Sequence, residues 1–241
     1  MSLALFILSA SIAVPILFRQ LYYGQIDKLN LTETTGYPRE TIVEAFDEMM
    51  DYCTGGGEDA GLEFGTGKLA WSQSGKEHFY DVEKLFGLDL LIMEITAVIL
   101  LAFVLAKLFI SGDDKQGKVS NLTGRLTNNA PGSLGEKGAR FLHPERFLGR
   151  GPLFWGPALL LIVFGGLGLM ASRNFESFFV KFHQMFFPGK TNWVFDENVD
   201  EIIRILPEEV FKYFAMVILI VLIVMCVVCI IADFIVARRS G

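Results

Sequence analysis

Two of the three histidines in this chain, His78 and His183, stand where an imidazole could do chemistry. Imidazole titrates near neutral pH, so a pair of histidines can take a proton and return it within one reaction. His78 lies in the run W-S-Q-S-G-K-E-H-F-Y-D-V-E-K-L-F-G-L-D. On a helix, Asp81 follows it at i+3 and shares its face, and Asp89 returns to that face further on. Asp81 there can support a protonated imidazole; its plainer role is charge complementarity at a helix N-terminus. Glu94 lies deeper, inside an apolar run. An ionisable group at that depth is costly and is expected to face a bundle interior, in a site or in an interhelical hydrogen bond. His183 borders Phe175, Phe178, Phe179, Phe182 and Phe186, which follow helical spacing. The plainer reading there is an interfacial aromatic belt with an incidental histidine. The third histidine, His143, precedes Pro144 in a polar loop and has no candidate partner.

Other chemistries lack their motifs. No G-x-S-x-G or H-E-x-x-H occurs, and Gly55-Gly56-Gly57 lacks the Lys-Ser/Thr of a phosphate loop. The carboxylates near His78 run along its own helix and do not close a ligand set, so neither metal nor cofactor is expected. Cys226 and Cys229 have C-x-x-C spacing but sit in an apolar helix with no charged or His partner, which points to packing. Cys53 has no second cysteine near it.

The elements that must position the histidines can be placed. Ser74 and Glu77 form a capping-box pattern, and the helix they start runs through His78 into an apolar block. Pro188-Gly189 ends the helix of His183. A short helix follows, with Asp196 or Asn198 as N-cap and Val199, Ile202, Ile203 and Leu206 on one face; Pro207 then opens the last apolar block. Residues 41–52 suit an amphipathic helix burying Ile42, Ala45, Phe46 and Met49, with Glu44, Asp47, Glu48 and Asp51 solvated. The alternating runs of residues 62–71 about Gly65-Thr66-Gly67 suit a hairpin.

The 241 residues are 52% hydrophobic, and the apolar residues fall in four blocks, 3–18, 85–110, 153–170 and 210–236. The last three are long enough to span a bilayer. The first is short, but it lacks the basic start and small-residue cleavage site of a signal peptide and reads as a retained span. The loop between the second and third blocks carries Lys115, Lys118, Arg125, Lys137, Arg140, Arg146 and Arg150, whereas residues 19–84 hold 13 acidic and 6 basic side chains. The positive-inside rule puts both termini and that loop in the cytoplasm and both histidine segments outside. The net charge of −6 argues against a nucleic-acid partner. The expected architecture is an all-α membrane protein, a four-transmembrane-helix bundle with a small extracytoplasmic cap of short helices and a possible β-hairpin. Its segments are a span at 1–18, cap at 19–84, span at 85–110, cytoplasmic loop at 111–151, span at 152–171, cap at 172–207 and span at 208–237.

The two histidine stretches, W-S-x-S-x-x-E-H-x-x-D-V-x-x-L-F and F-x-x-F-H-x-x-F-F-x-x-x-x-N-W-x-F-D-x-x-x-D-x-I-I-x-x-x-P-E-x-x-F, resemble the bacterial four-span membrane family that includes the lipoprotein intramolecular transacylase (Lit). The resemblance covers all four spans, and its specific part lies around His78 and His183. It departs at Phe79, Glu83 and Glu197 and leaves both histidines in place. It implies acyl transfer at the outer face of the plasma membrane, with a diacylated lipoprotein as substrate and membrane lipids as surroundings. The sn-2 acyl chain of an S-diacylglyceryl-cysteine would move to the cysteine α-amino group, giving the lyso-form lipoprotein. His78 and His183 would be the catalytic dyad, with His78 as base oriented by Asp81, and an acyl-histidine intermediate as the other route. Trp193 and the Phe stripe would wall the acyl chain, and Asp196, Asp200 and Glu94 would support the site. An esterase using the same dyad would release fatty acid instead, and a non-enzymatic membrane binding protein would tolerate loss of both histidines.

Overall fold

The computed structural model describes residues 1–120 and 150–239; His143 and the basic residues from Arg125 to Arg146 lie outside them. The helices are α1 (Ser2–Leu17), α2 (Gln20–Lys28), α3 (Leu31–Thr35), α4 (Arg39–Thr54), α5 (Gln73–Ser120), α6 (Pro152–Arg173), α7 (Phe175–Phe186) and α8 (Glu208–Arg239). Two 3₁₀ turns, Gly57–Ala60 and Glu201–Ile205, complete the described elements.

Three helices are long and apolar enough to cross a membrane: α5 as far as Phe109, α6 and α8; the bent pair α1–α2 makes a fourth if taken as one span. The bend of 57° follows Pro15, which removes a helix donor two residues before α1 ends. Helix α1 is central, packing on α5, α6 and α8. Ile7 of α1 is buried with Leu222 and Cys226 of α8, and Leu160, Leu161, Phe164 and Cys229 pack around them. Cys226 and Cys229 are thus free thiols in apolar packing. At one end, Asp233 of α8 is buried and accepts from the Gly151 N–H at 3.1 Å, capping the start of α6.

At the other end stands a helical head with its own core. Tyr22, Ile26, Ile42, Phe46, Met49, Tyr52, Phe64, Leu69, Phe79, Ile202 and Ile205 are buried there together. Tyr22 stacks on Phe46 with ring centroids 3.8 Å apart and donates to the Ile205 carbonyl at 2.8 Å, tying α2, α4 and the second 3₁₀ turn. The 37 residues from Gln73 to Phe109 of α5 extend ~55 Å, well beyond the ~30 Å of bilayer hydrocarbon. Its first three turns therefore belong to the head. They bury Phe79 in the head core, and Lys76 and Lys84 pair with Glu58 and Asp59.

Five details differ from the sequence expectations. No strand forms among the described residues: the 62–71 stretch closes a local turn, Leu69 N–H to Thr66 carbonyl at 3.0 Å, and Glu48 accepts from the Gly67 N–H at 2.6 Å. A side chain of α4 thus takes the place of a partner strand. The acidic face of α4 is consequently not simply solvated, for Asp47 and Asp51 also hold Arg19. The cap of α5 is Ser72 rather than Ser74, its Oγ accepting from the Gly75 N–H at 2.9 Å. Glu94 is exposed on α5 rather than turned inward; Thr96 is the buried polar residue of that stretch. Asp196 caps only an Asx turn, accepting from the Asn198 N–H at 2.9 Å, and the short helix begins later, at Glu201.

Candidate active site

His78 is brought to its place by the first turns of α5, and those turns are fixed from outside the helix. Asp200, buried, accepts the Ser72 N–H at 2.7 Å and the Ser72 hydroxyl at 2.9 Å. Beside it, Glu201 N–H donates to the Ala70 carbonyl and Ala70 N–H to Glu201 Oε2, both at 2.9 Å. Residues 70–72 and 200–201 are thereby stitched together, and with them the two histidine segments. Gly75 is required at this join, because a Cβ there would stand 2.3 Å from Asp200 Oδ1 and 3.2 Å from the Phe195 ring.

His183 is carried by α7. Asn174 caps that helix, accepting from the Ser177 N–H at 2.8 Å, and the turn after Phe187 uses Gly189 at positive φ. The Nδ1 of His183 lies 2.8 Å from the Phe179 carbonyl oxygen. A carbonyl can only accept, so Nδ1 carries the hydrogen and Nε2 of the neutral ring keeps its lone pair.

The two imidazoles meet with ring centroids 5.8 Å apart, both buried. Around His78 stand Phe187 at 5.0 Å and Phe195 at 5.4 Å, both edge-on. Around His183 stand Phe179 at 4.1 Å and Trp193 at 5.0 Å. Burial pushes the His78 conjugate acid down to about 4; His183 pushes the same way, Asp81 pulls against them, and Lys190 adds a smaller push down. Burial also lowers the pKa of His183, opposed by the Phe179 carbonyl, which supports its protonated form. His78 is accordingly a neutral ring at pH 7, and its buried Nδ1 has no hydrogen-bond partner among the described residues.

Asp81 does not orient His78. Its carboxylate takes Lys190 Nζ at 2.5 and 2.7 Å and Asn192 Nδ2 at 3.1 Å. Burial alone would raise the Asp81 pKa, but the Lys190 and Asn192 hydrogen bonds outweigh it and hold the group ionised. The effect is a clasp: Asp81 of α5 grips the loop after α7, and Trp193, whose Nε1 donates to the Lys190 carbonyl at 3.0 Å, is held over His183. Of the remaining residues expected at the site, Asp200 acts one step back through Ser72, while Asp196 accepts from the Asn198 N–H and Glu94 is exposed on α5. Phe187 and Phe195 were not singled out as site walls by their sequence pattern. Phe187 follows His183 at i+4 and could have been read from spacing; Phe195 reaches His78 only through the join at Asp200.

Among the described residues no three His, Cys, Asp or Glu side chains converge as a metal set. What remains is a buried aromatic site with two neutral imidazoles, the tautomer of one fixed by the Phe179 carbonyl, at the end of apolar spans. That arrangement suits proton transfer on a lipid-borne substrate.

Comparison with known proteins agrees. The family model for the lipoprotein intramolecular transacylase Lit matches residues 1–211. The in meso structure of the membrane integral lipoprotein intramolecular transacylase Lit from Bacillus cereus is 24% identical and superposes with a TM-score of 0.71, over 99% of this chain and 92% of that one. Two variants of that protein, with a histidine replaced by arginine or by alanine, each superpose with a TM-score of 0.66 at 24% identity. No match was found among curated proteins. With its fold shared and the family model matched over all but its last apolar helix, the chain belongs to the lipoprotein intramolecular transacylase family, a family of membrane acyltransferases.

Proposed function

We propose that this chain moves the sn-2 acyl chain of an S-diacylglyceryl-cysteine to the α-amino group of the same cysteine, leaving a lyso-form lipoprotein in a bacterial plasma membrane. The observation that carries it is the buried His78–His183 pair, 5.8 Å between ring centroids, in an aromatic recess at the end of the spans. Donor ester and acceptor amine are parts of one lipid-anchored molecule, so folding them together supplies much of the rate.

The tautomer of His183 supports one division of the roles. His183 Nε2, with its lone pair free and its Nδ1–H braced on the Phe179 carbonyl, takes the proton of the α-ammonium. The amine nitrogen attacks the ester carbon. His78, neutral, donates a ring N–H to the carbonyl oxygen as it becomes an oxyanion, in the way a buried neutral imidazole can act as an electrophile. The C–O bond to glycerol then breaks as the proton held by His183 passes to the leaving glyceryl oxygen, and the adduct nitrogen gives its extra proton to the freed His183 Nε2, which releases it to water. The amide and a free hydroxyl result, and one proton is released for each ammonium consumed. Trp193, Phe179 and Phe187 wall the acyl chain and keep water out.

The same reading has α1–α2 as the first of four spans, both termini and the basic loop in the cytoplasm, and the helical head on the outer face. The excess of acidic side chains in residues 19–84 supports it.

The test is mass spectrometry of the N-terminal lipopeptide of a diacylated lipoprotein made together with this chain or with its His183→Ala form. Transfer leaves the total mass constant and moves one chain from glycerol to nitrogen, and His183→Ala abolishes it. Loss of one acyl mass identifies an esterase, and an unchanged lipopeptide refutes the reaction.

A further inference from the structure

Asn192 is the one side chain of the clasp whose polar capacity is left over. Its Nδ2 donates to Asp81 Oδ2 at 3.1 Å, and its Oδ1 is buried with no hydrogen-bond partner among the described residues. The two ends of an amide are usually interchangeable, but not here. An ionised carboxylate only accepts, so the NH₂ must face Asp81 and the carbonyl must face away. A buried amide oxygen without a donor is costly, and a site that keeps one keeps it for a donor that arrives.

The neighbours say where the donor arrives. Lys190, two residues before, is fixed to α5 one turn beyond His78, and Trp193, the next residue, packs on the His183 ring. The histidine pair and the clasp beside it thus hold three acceptor-capable atoms, the lone pair on His183 Nε2, the unpartnered Nδ1 of His78 and Asn192 Oδ1. Acceptors gathered beside the Asp81–Lys190 ion pair fit a group that brings several N–H donors, as a primary amine or ammonium does.

We infer that Asn192 Oδ1 binds the acyl-accepting α-amino group, taking one of its N–H bonds while Asp81 holds the amide in the required orientation. Asn192 stays bonded while the nitrogen passes from ammonium to amine and to the positively charged tetrahedral adduct, and no proton moves to it. This rests on the transacylase reading and adds the residue that selects an amine over water as acyl acceptor. Asp81, acting through Asn192, is a positioning residue.

The experiment uses the full chain in lipid vesicles and two synthetic lipopeptides. One carries a free N-terminal S-diacylglyceryl-cysteine; the other lacks only the α-amino group and serves as an inhibitor. Asn192→Leu removes the acceptor, and Asn192→Ser keeps a donor for Asp81 but removes the carbonyl. Both variants are expected to lower kcat/KM for the amine lipopeptide about 10- to 100-fold, the loss of a hydrogen bond to a charged group. Both leave the inhibition constant of the deamino lipopeptide unchanged, since it never touches Asn192. The inference is overturned if either variant turns over the amine lipopeptide as the unaltered chain does, or if inhibition by the deamino compound weakens in parallel in both. If the unaltered chain moves no acyl chain to nitrogen, the reaction itself is refuted, and the role of Asn192 falls with it.

Discussion

Asp200 receives both the backbone N–H and the hydroxyl of Ser72, at 2.7 and 2.9 Å, and so a residue near the last span sets the first turn of the helix that carries His78. Two hydrogen bonds to a buried carboxylate contribute about 3 kcal/mol together, and removing the acceptor leaves a partly buried N–H unpaired. Asp200→Ala is therefore expected to lower the thermal unfolding temperature in detergent and to reduce acyl transfer severely. Asp200→Asn, which keeps one acceptor, is expected to fall between.

Gly75 gives a second handle on the same join. A Cβ there would stand 2.3 Å from Asp200 Oδ1, so Gly75→Ala must push the carboxylate off Ser72. Gly75→Ala is expected to destabilise the head although it raises helix propensity. A rise in unfolding temperature would show that the join is looser than described.

His78 titrates far from the ordinary imidazole range. Its pKa falls from 6.5 to about 4 in the folded chain. The unfolded chain takes up a proton near 6.5 and the folded one does not, so stability is lost as pH falls through that window, by about 3 kcal/mol once pH 4 is reached. The imidazole resonances of His78 are expected to stay those of a neutral ring from pH 8 down to pH 5. His183 is expected to titrate below its ordinary value as well. A His78 midpoint near 6.5 would mean that the recess is wet.

Glu94 is exposed on α5. Glu94→Gln is expected to leave acyl transfer within about twofold, surface changes away from a site being near neutral. A large loss would place it back in the site.

The legible part of this molecule is local. Four apolar blocks, the helix of Thr41 to Tyr52, the Phe stripe of α7 and the two histidines can all be read from spacing within one turn or one run. What escaped involves partners far apart in the chain. Ser72 wins the cap from Ser74 because Asp200 holds its hydroxyl; Asp81 is drawn from His78 by Lys190 and Asn192; Gly67 meets Glu48 instead of a strand. Charge in an apolar run is costly and points Glu94 inward, but which face of α5 meets α1 is decided by packing, not by cost alone.

The stitching of residues 70–72 to 200–201 also bears on when the protein can begin to work. During synthesis, His78 emerges long before Asp200, Asn192 and His183, and α6 has yet to be threaded into the bilayer. A nascent chain halted before Asn174 holds one histidine without its brace and lacks the second wall of the recess. The catalyst is thus assembled only near the end of translation, and truncated products left in the membrane would be inert toward the lipids around them.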